Sequence, residues 1–198
     1  MSLLAAMSER PPSRAPAPIV SIERPLLERA RRGDTAAFHE LFRQHAPSVW
    51  RFAKRLLGAA SAADEATQET FVRAHAALTS GVAIDRALPW LLGVARNVSR
   101  EHLRAHAKTV SLGEPVEEVT ESPAPDPEAL LLGRETDALL ERALARLDED
   151  RRFALVLRVD QQLPYDEIAD VLGWNVARVK NEIHRARLQL RAALTAHR

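Results

Sequence analysis

The chain has 198 residues, 46% of them hydrophobic and 28% charged, with only 7 Gly and no Cys. That is enough for one medium domain or two small helical ones, and the missing Cys excludes disulfides, zinc–thiolate sites and thiol nucleophiles. The net charge of +1 divides unevenly: residues 26–108 carry 13 basic and 8 acidic residues, 109–129 carry 6 acids and no base, and 176–198 carry 6 bases and 1 acid. Two basic bodies around an acidic connector suit a polyanionic partner. Solvated, Arg-rich helices would give the same charge.

In chain order, residues 1–25 hold Pro and Ser without apolar periodicity and read as a flexible tail. The start, "MSLLAAMSER", has too short an apolar stretch and no basic run for a signal peptide. No apolar run approaches the roughly 20 residues of a membrane span. A cytoplasmic protein without membrane insertion is expected.

Helical spacing begins at Pro25. Phe38, Leu41, Phe42, His45, Val49, Phe52 and Leu56 recur at steps of three and four, forming one apolar stripe. Pro47 is expected to break it and open a second helix. Ser61 to Asp64 has the form of a capping box at the start of a helix reaching about Leu78. A loop precedes a helix from Pro89 to about Lys108. Residues 109–127 form an acidic, Pro-bearing linker. "DPE" at Asp126 to Glu128 opens a helix to Leu147, and Asp148 caps the next, ending near Val159. The fold class expected is all-α, as two small helical domains, 26–108 and 128–198, on either side of the linker.

"YDEIADVLG" is a short amphipathic helix with Ile168, Val171 and Leu172 inward, ended by Gly173. After "WN", a longer helix turns Val176, Val179, Ile183 and Leu190 inward. This is the helix-turn-helix pattern, whose second helix enters a major groove. Its outer face carries Arg178, Asn181, Glu182 and Arg185, with Lys180, Arg187 and Arg191 placed for phosphates. A helical hairpin with a wet basic face is the plainer alternative.

In "PWLLGVARNVSREHLRAHAK", Leu91, Val94, Ala95 and Val98 face inward. Arg96, Arg100, Arg104 and Lys108 make a stripe about 18 Å long, fit to follow a phosphate backbone or simply solvated. In "ADEATQETFVRAHAAL", Ala63, Ala66, Thr70, Ala74 and Leu78 suit packing. Asp64, Glu65, Gln68 and Glu69 present an acidic, polar face. His102 and His106 have metal-ligand spacing but no third ligand within reach, so no metal is assigned. No catalytic triad, carboxylate pair or phosphate-binding Gly loop points to an enzyme or a cofactor.

Together these segments resemble the extracytoplasmic-function group of bacterial sigma factors over about residues 26–195. "ADEATQETFVRAHAAL" is similar to the family helix that docks on the polymerase clamp. "PWLLGVARNVSREHLR" is similar to the helix of promoter melting and −10 recognition. "LPYDEIADVLGWNVARVKNEIHRARLQLR" is similar to the −35-reading helix-turn-helix.

The resemblance implies roles. Asp64, Glu65, Gln68 and Glu69 would meet core RNA polymerase. Trp90, Arg96, Asn97, Arg100, Arg104 and Lys108 would meet −10 DNA. Arg178, Lys180, Asn181, Glu182, Arg185, Arg187 and Arg191 would meet −35 DNA. Promoter DNA and an anti-sigma factor would be the other partners. The family's middle domain is missing. Glu182 stands where the family often has Arg, Ala66 and Thr67 where it has Leu-Val, and Pro164 where Ser is common.

Two other readings fit the residues alone. One is a helix-turn-helix regulator acting without polymerase, although no dimer face or ligand site is visible. The other is a helical adaptor that binds only protein, which the basic terminal helix disfavours.

Overall fold

A computed structural model describes residues 20–111 and 139–195, all helical apart from turns and short loops. The N-terminal half has α1 (Val20–Arg31), α2 (Thr35–Leu57), α3 (Ala60–Thr79) and α4 (Ala87–Ser111). The C-terminal half has α5 (residues 139–145), α6 (Glu149–Val159), α7 (Tyr165–Leu172) and α8 (Val176–Thr195). α4 runs to Ser111, three residues into the expected linker; residues 112–127 and the "DPE" helix start lie outside the described residues.

Local chemistry explains most boundaries. Asp34 caps α2 by accepting from the backbone N–H of Ala37 at 3.0 Å. Asp148 caps α6 as expected, accepting from the N–H of Asp150 at 3.1 Å. Gly173 ends α7 at φ +67°, a left-handed conformation that costs glycine least. Pro164 precedes α7 without a side-chain cap.

Three expectations are corrected. Pro47 lies inside α2, which runs unbroken to Leu57. Pro47 is exposed, so the backbone acceptor it leaves unpaired can turn to water. The capping box at Ser61 does not form. The helix starts two residues earlier, Ala59 caps it without a side-chain bond, and Asp64 is engaged by Trp50. Val20 to Pro25, expected in the tail, is the first half of α1.

The N-terminal half packs α2, α3 and α4 against one another, with α1 on α2. Phe52, Val49, Leu78, Leu92 and Val98 are fully or nearly fully buried. Ala53, Ala63 and Ala66 are also buried, and such small side chains let the helix backbones approach closely. Buried Thr67 and Thr70 donate to the carbonyls of Ala63 and Ala66 at 2.7 and 2.6 Å, so neither hydroxyl is orphaned.

In the C-terminal half Leu140, Leu144, Phe153, Leu157, Ile168, Val179, Ile183 and Leu190 are buried. Each large apolar side chain removed from water contributes about 1.5–3 kcal/mol.

The halves share one core. Phe52 of α2 stacks on Phe153 of α6 with ring centroids 6.2 Å apart, and both rings are wholly buried. α4 also packs against α7.

Candidate nucleic-acid interface

The basic terminal helix is positioned by the turn before it. The N–H of Trp174 donates back to the carbonyl of Ala169 at 2.9 Å, tightening the exit from α7. Asn175 then caps α8, its Oδ1 accepting from the N–H of Arg178 at 2.8 Å. Val179, Ile183, Ala186 and Leu190 face the core. Val176, expected inward, is 37% exposed because it sits at the helix start.

Arg178, Lys180, Asn181, Arg185 and Arg191 are exposed on α8. The guanidinium of Arg178 lies 4.0 Å from the Trp174 ring centroid, and Lys180 Nζ lies 5.7 Å from that of Tyr165. These contacts hold two cations beside the turn.

Glu182 and Arg187 are placed differently. Glu182 accepts from Arg151 Nε at 2.6 Å and from Arg185 at 3.0 Å, with its side chain only 16% exposed. The Arg151 hydrogen bond holds this carboxyl below the usual Glu range. Glu182 is therefore drawn back toward α6. Arg187 is half-buried and its Nε has no hydrogen-bond partner.

The α4 stripe is divided. Arg104, Lys108 and Asn97 are exposed. Arg96 is pressed over the Phe153 ring, 5.5 Å from its centroid, and lies 3.5 Å from Asp150. Burial lowers the Arg96 pKa from its ordinary value. Arg100 pairs with Glu149 and, at 3.2 Å, with Asp150. Trp90 is half-buried against the core.

At the start of α4, Glu23 of α1 accepts from the N–H of Ala87 at 3.3 Å and lies 2.8 Å from His45 Nε2. Glu23 therefore satisfies the first backbone N–H of α4.

On α3, Asp64, Glu65 and Gln68 are exposed. Asp64 accepts from Trp50 Nε1 at 2.7 Å. Glu69 is bound internally, to Arg73 at 2.5 Å and to His102 Nε2 at 3.2 Å. Arg73 continues the network to Glu101 at 2.9 and 2.6 Å. This use of His102 separates it from His106, and no group of three or more metal-ligating side chains occurs among the described residues.

Sequence reasoning missed Val72, which is 69% exposed on the same helix. Its spacing of four from Gln68 was the available signal. It also missed Glu23, Glu149 and Asp150, whose partners are too distant in the chain for any local pattern to show.

The family model described as Sigma-70 region 2 matches residues 41–109, and that described as Sigma-70, region 4 matches residues 137–190. The chain is 30% identical over 177 residues to the RNA polymerase sigma-H factor of Pseudomonas aeruginosa, covering 85% of this chain and 92% of that protein. It is 28% identical over 166 residues to RNA polymerase sigma factor YlaC of Bacillus subtilis, covering 82% and 94%.

Among solved structures, CnrH in complex with the cytosolic domain of CnrY superposes with a TM-score of 0.67 at 26% identity, covering 88% of this chain and 97% of that one. Sigma factor RpoE of Bartonella quintana, bound to the anti-sigma factor NepR, shares the fold with a TM-score of 0.63 at 24% identity, covering 81% and 98%.

Proposed function

Since the chain belongs to the extracytoplasmic-function sigma factors of bacterial RNA polymerase, we propose that it binds core polymerase, reads the −10 and −35 promoter elements and stabilises melted DNA. Residues 26–108 would carry polymerase and −10 contacts, residues 128–198 the −35 contacts, and 109–127 the connection. The observation that carries this reading is α8: a capped helix after a left-handed Gly turn, with Arg178, Lys180, Asn181, Arg185 and Arg191 all exposed. That face meets the chemistry of base edges and phosphates together.

The mechanism needs no catalytic group in this chain, because polymerase supplies the chemistry. Polymerase would hold the two DNA-binding faces at a fixed separation. Contacts that are weak singly then add through effective concentration. Exposed Asn97, about two helical turns from both Trp90 and Arg104 on α4, is suited to an unstacked −10 base. Capturing a flipped base offsets an unstacking cost of a few kcal/mol. Glu65 and Gln68 offer polymerase a polar docking face. A cytoplasmic location follows from that partner, and no described helix is long and apolar enough to cross a membrane. An anti-sigma factor is a further proposed partner, as CnrH is bound to the cytosolic domain of CnrY and RpoE to the anti-sigma factor NepR.

The test is reconstitution with core polymerase and selection of run-off promoters from a randomised library. Enrichment of paired −10 and −35 motifs is expected. Transcripts indistinguishable from those of core polymerase alone would overturn the reading.

A further inference from the structure

The carboxylate of Glu182 sits where the recognition helix is otherwise basic. On α8 it follows Arg178 by four residues and precedes Arg185 by three, so the three positions share one side of the helix. Arg178 and Arg185 are exposed, yet the Glu182 side chain between them is only 16% exposed. An unpaired acid on that side would repel phosphate unless a base edge offered it a donor.

Two arginines hold this acid. Glu182 Oε1 accepts from Arg185 at 3.0 Å, and Oε2 accepts from Arg151 Nε at 2.6 Å. The two contacts are not equivalent. Arg185 belongs to the same helix and its side chain is 60% exposed. Exposed pairs of that kind are weak, and this one ends whenever Arg185 turns to DNA. Arg151 belongs to α6, and its side chain is 27% exposed. Its guanidinium runs along α8, with Nη1 3.5 Å from the Oε1 of Gln189, seven residues beyond Glu182. The backbone around it is fixed as well, since Asp148 caps α6 and Phe153 is wholly buried. The Arg151 contact is therefore the one that persists when DNA occupies the exposed face. The same bond keeps the Glu182 carboxyl below its ordinary pKa, so the group held aside is an anion.

We propose that Arg151 is a positioning residue of the −35 reader, which keeps the Glu182 carboxylate off the base edges and leaves them to Arg178, Asn181 and Arg185. The proposal rests on the assignment of α8 to −35 DNA. It makes α6, a helix outside the helix-turn-helix, a determinant of sequence preference. Without Arg151 the carboxylate is free to swing outward, where it would accept from a cytosine amino group and disfavour other bases. Arg151 thus acts by exclusion. Removing it should add a base preference, whereas removing Arg185 should take one away.

The test measures binding of holoenzyme to promoters with one fixed −10 element, taken from selection by the wild type, and a randomised −35 element. Arg151→Ala should acquire about a tenfold preference for cytosine at a single −35 position, with weaker binding of sequences that lack it. Arg151→Lys keeps a cation within reach of Glu182 and should keep the wild-type profile. Arg151→Ala plus Glu182→Ala should match Glu182→Ala alone, because the acid through which Arg151 acts is gone.

A uniform loss that persists in the double variant would show Arg151 acting on phosphate or on folding, and would overturn the proposal. An Arg151→Ala profile equal to the wild type, or an Arg151→Lys profile equal to that of Arg151→Ala, would overturn it too. Failure of the wild-type holoenzyme to select any −35 sequence is a different result: it would refute the assignment of α8 itself, before any variant is compared.

Discussion

The indole Nε1 of Trp50 donates to Asp64 Oδ1 at 2.7 Å and joins α2 to α3 across the start of the helix proposed to meet polymerase. Asp64 therefore has a structural partner as well as an exposed position. Asp64→Ala should cost about 1–2 kcal/mol of stability, the range for losing a hydrogen bond to a charged group near the surface. Polymerase affinity should fall less than for Gln68→Ala, which touches only the exposed face. Urea unfolding and competition for core polymerase separate the two effects, and the idea fails if Asp64→Ala lowers affinity more while leaving the unfolding midpoint unchanged.

Val72 gives a cleaner probe of the proposed docking face. At 69% exposure it contributes little to the core, so Val72→Asp should leave the thermal midpoint within about 2 °C of wild type. An acid placed at an apolar contact would cost polymerase binding about tenfold or more. Undiminished affinity for core polymerase would remove Val72 and its neighbours Glu65 and Gln68 from the interface.

Much of the fold was legible because its signals are local. Leu41, Val49, Phe52 and Leu56 of the apolar stripe are buried as their spacing required, whereas Phe42 of the same stripe is 37% exposed. Asp148 and Gly173 do what an N-cap acid and a left-handed Gly do elsewhere. Pro47 misled because a proline's cost depends on whether the acceptor it orphans can reach water. The recognition helix was legible as a face but not residue by residue. Arg178 and Arg185 point outward as expected, whereas Glu182 is captured by Arg151, a partner 31 residues away. The pairing of Arg96 and Arg100 with Asp150 depends on how two separately patterned halves meet, and periodicity within either half carries no information about that.

The Glu23–His45 contact makes stability sensitive to acid. The hydrogen bond from His45 holds Glu23 below the ordinary Glu value of 4.5, with the Ala87 N–H acting in the same direction. A carboxyl depressed in the folded state stabilises above its unfolded pKa and loses that contribution as pH falls through the folded value. Glu23→Gln should therefore lower stability by about 1–2 kcal/mol at pH 7, and the gap from wild type should close below about pH 4. Guanidinium unfolding of both proteins across that interval checks the sign. A gap that widens on acidification would show that Glu23 acts in some other way.

The recognition helix allows base readout to be separated from backbone contact. Arg185 and Asn181 are exposed one turn apart on α8, where paired hydrogen bonds to a guanine or adenine edge discriminate by about 1–3 kcal/mol each. Arg191, further along the helix and also exposed, is the proposed phosphate contact. Arg185→Ala in the holoenzyme should change which −35 base is preferred. Arg191→Ala should weaken all promoters alike and reduce the salt slope by about one unit. Glu182 gives the decisive comparison, because it holds Arg151 and Arg185 instead of presenting a free carboxylate. Glu182→Ala should then raise affinity for every −35 sequence by releasing Arg185 and removing a negative charge near phosphate. A carboxylate that read a cytosine amino group would instead produce relaxed preference at a single position. Binding of holoenzyme to a library of −35 variants distinguishes a uniform gain from a local one, and a profile that changes at one position only would restore Glu182 to the base-reading face from which its bond to Arg151 withdraws it.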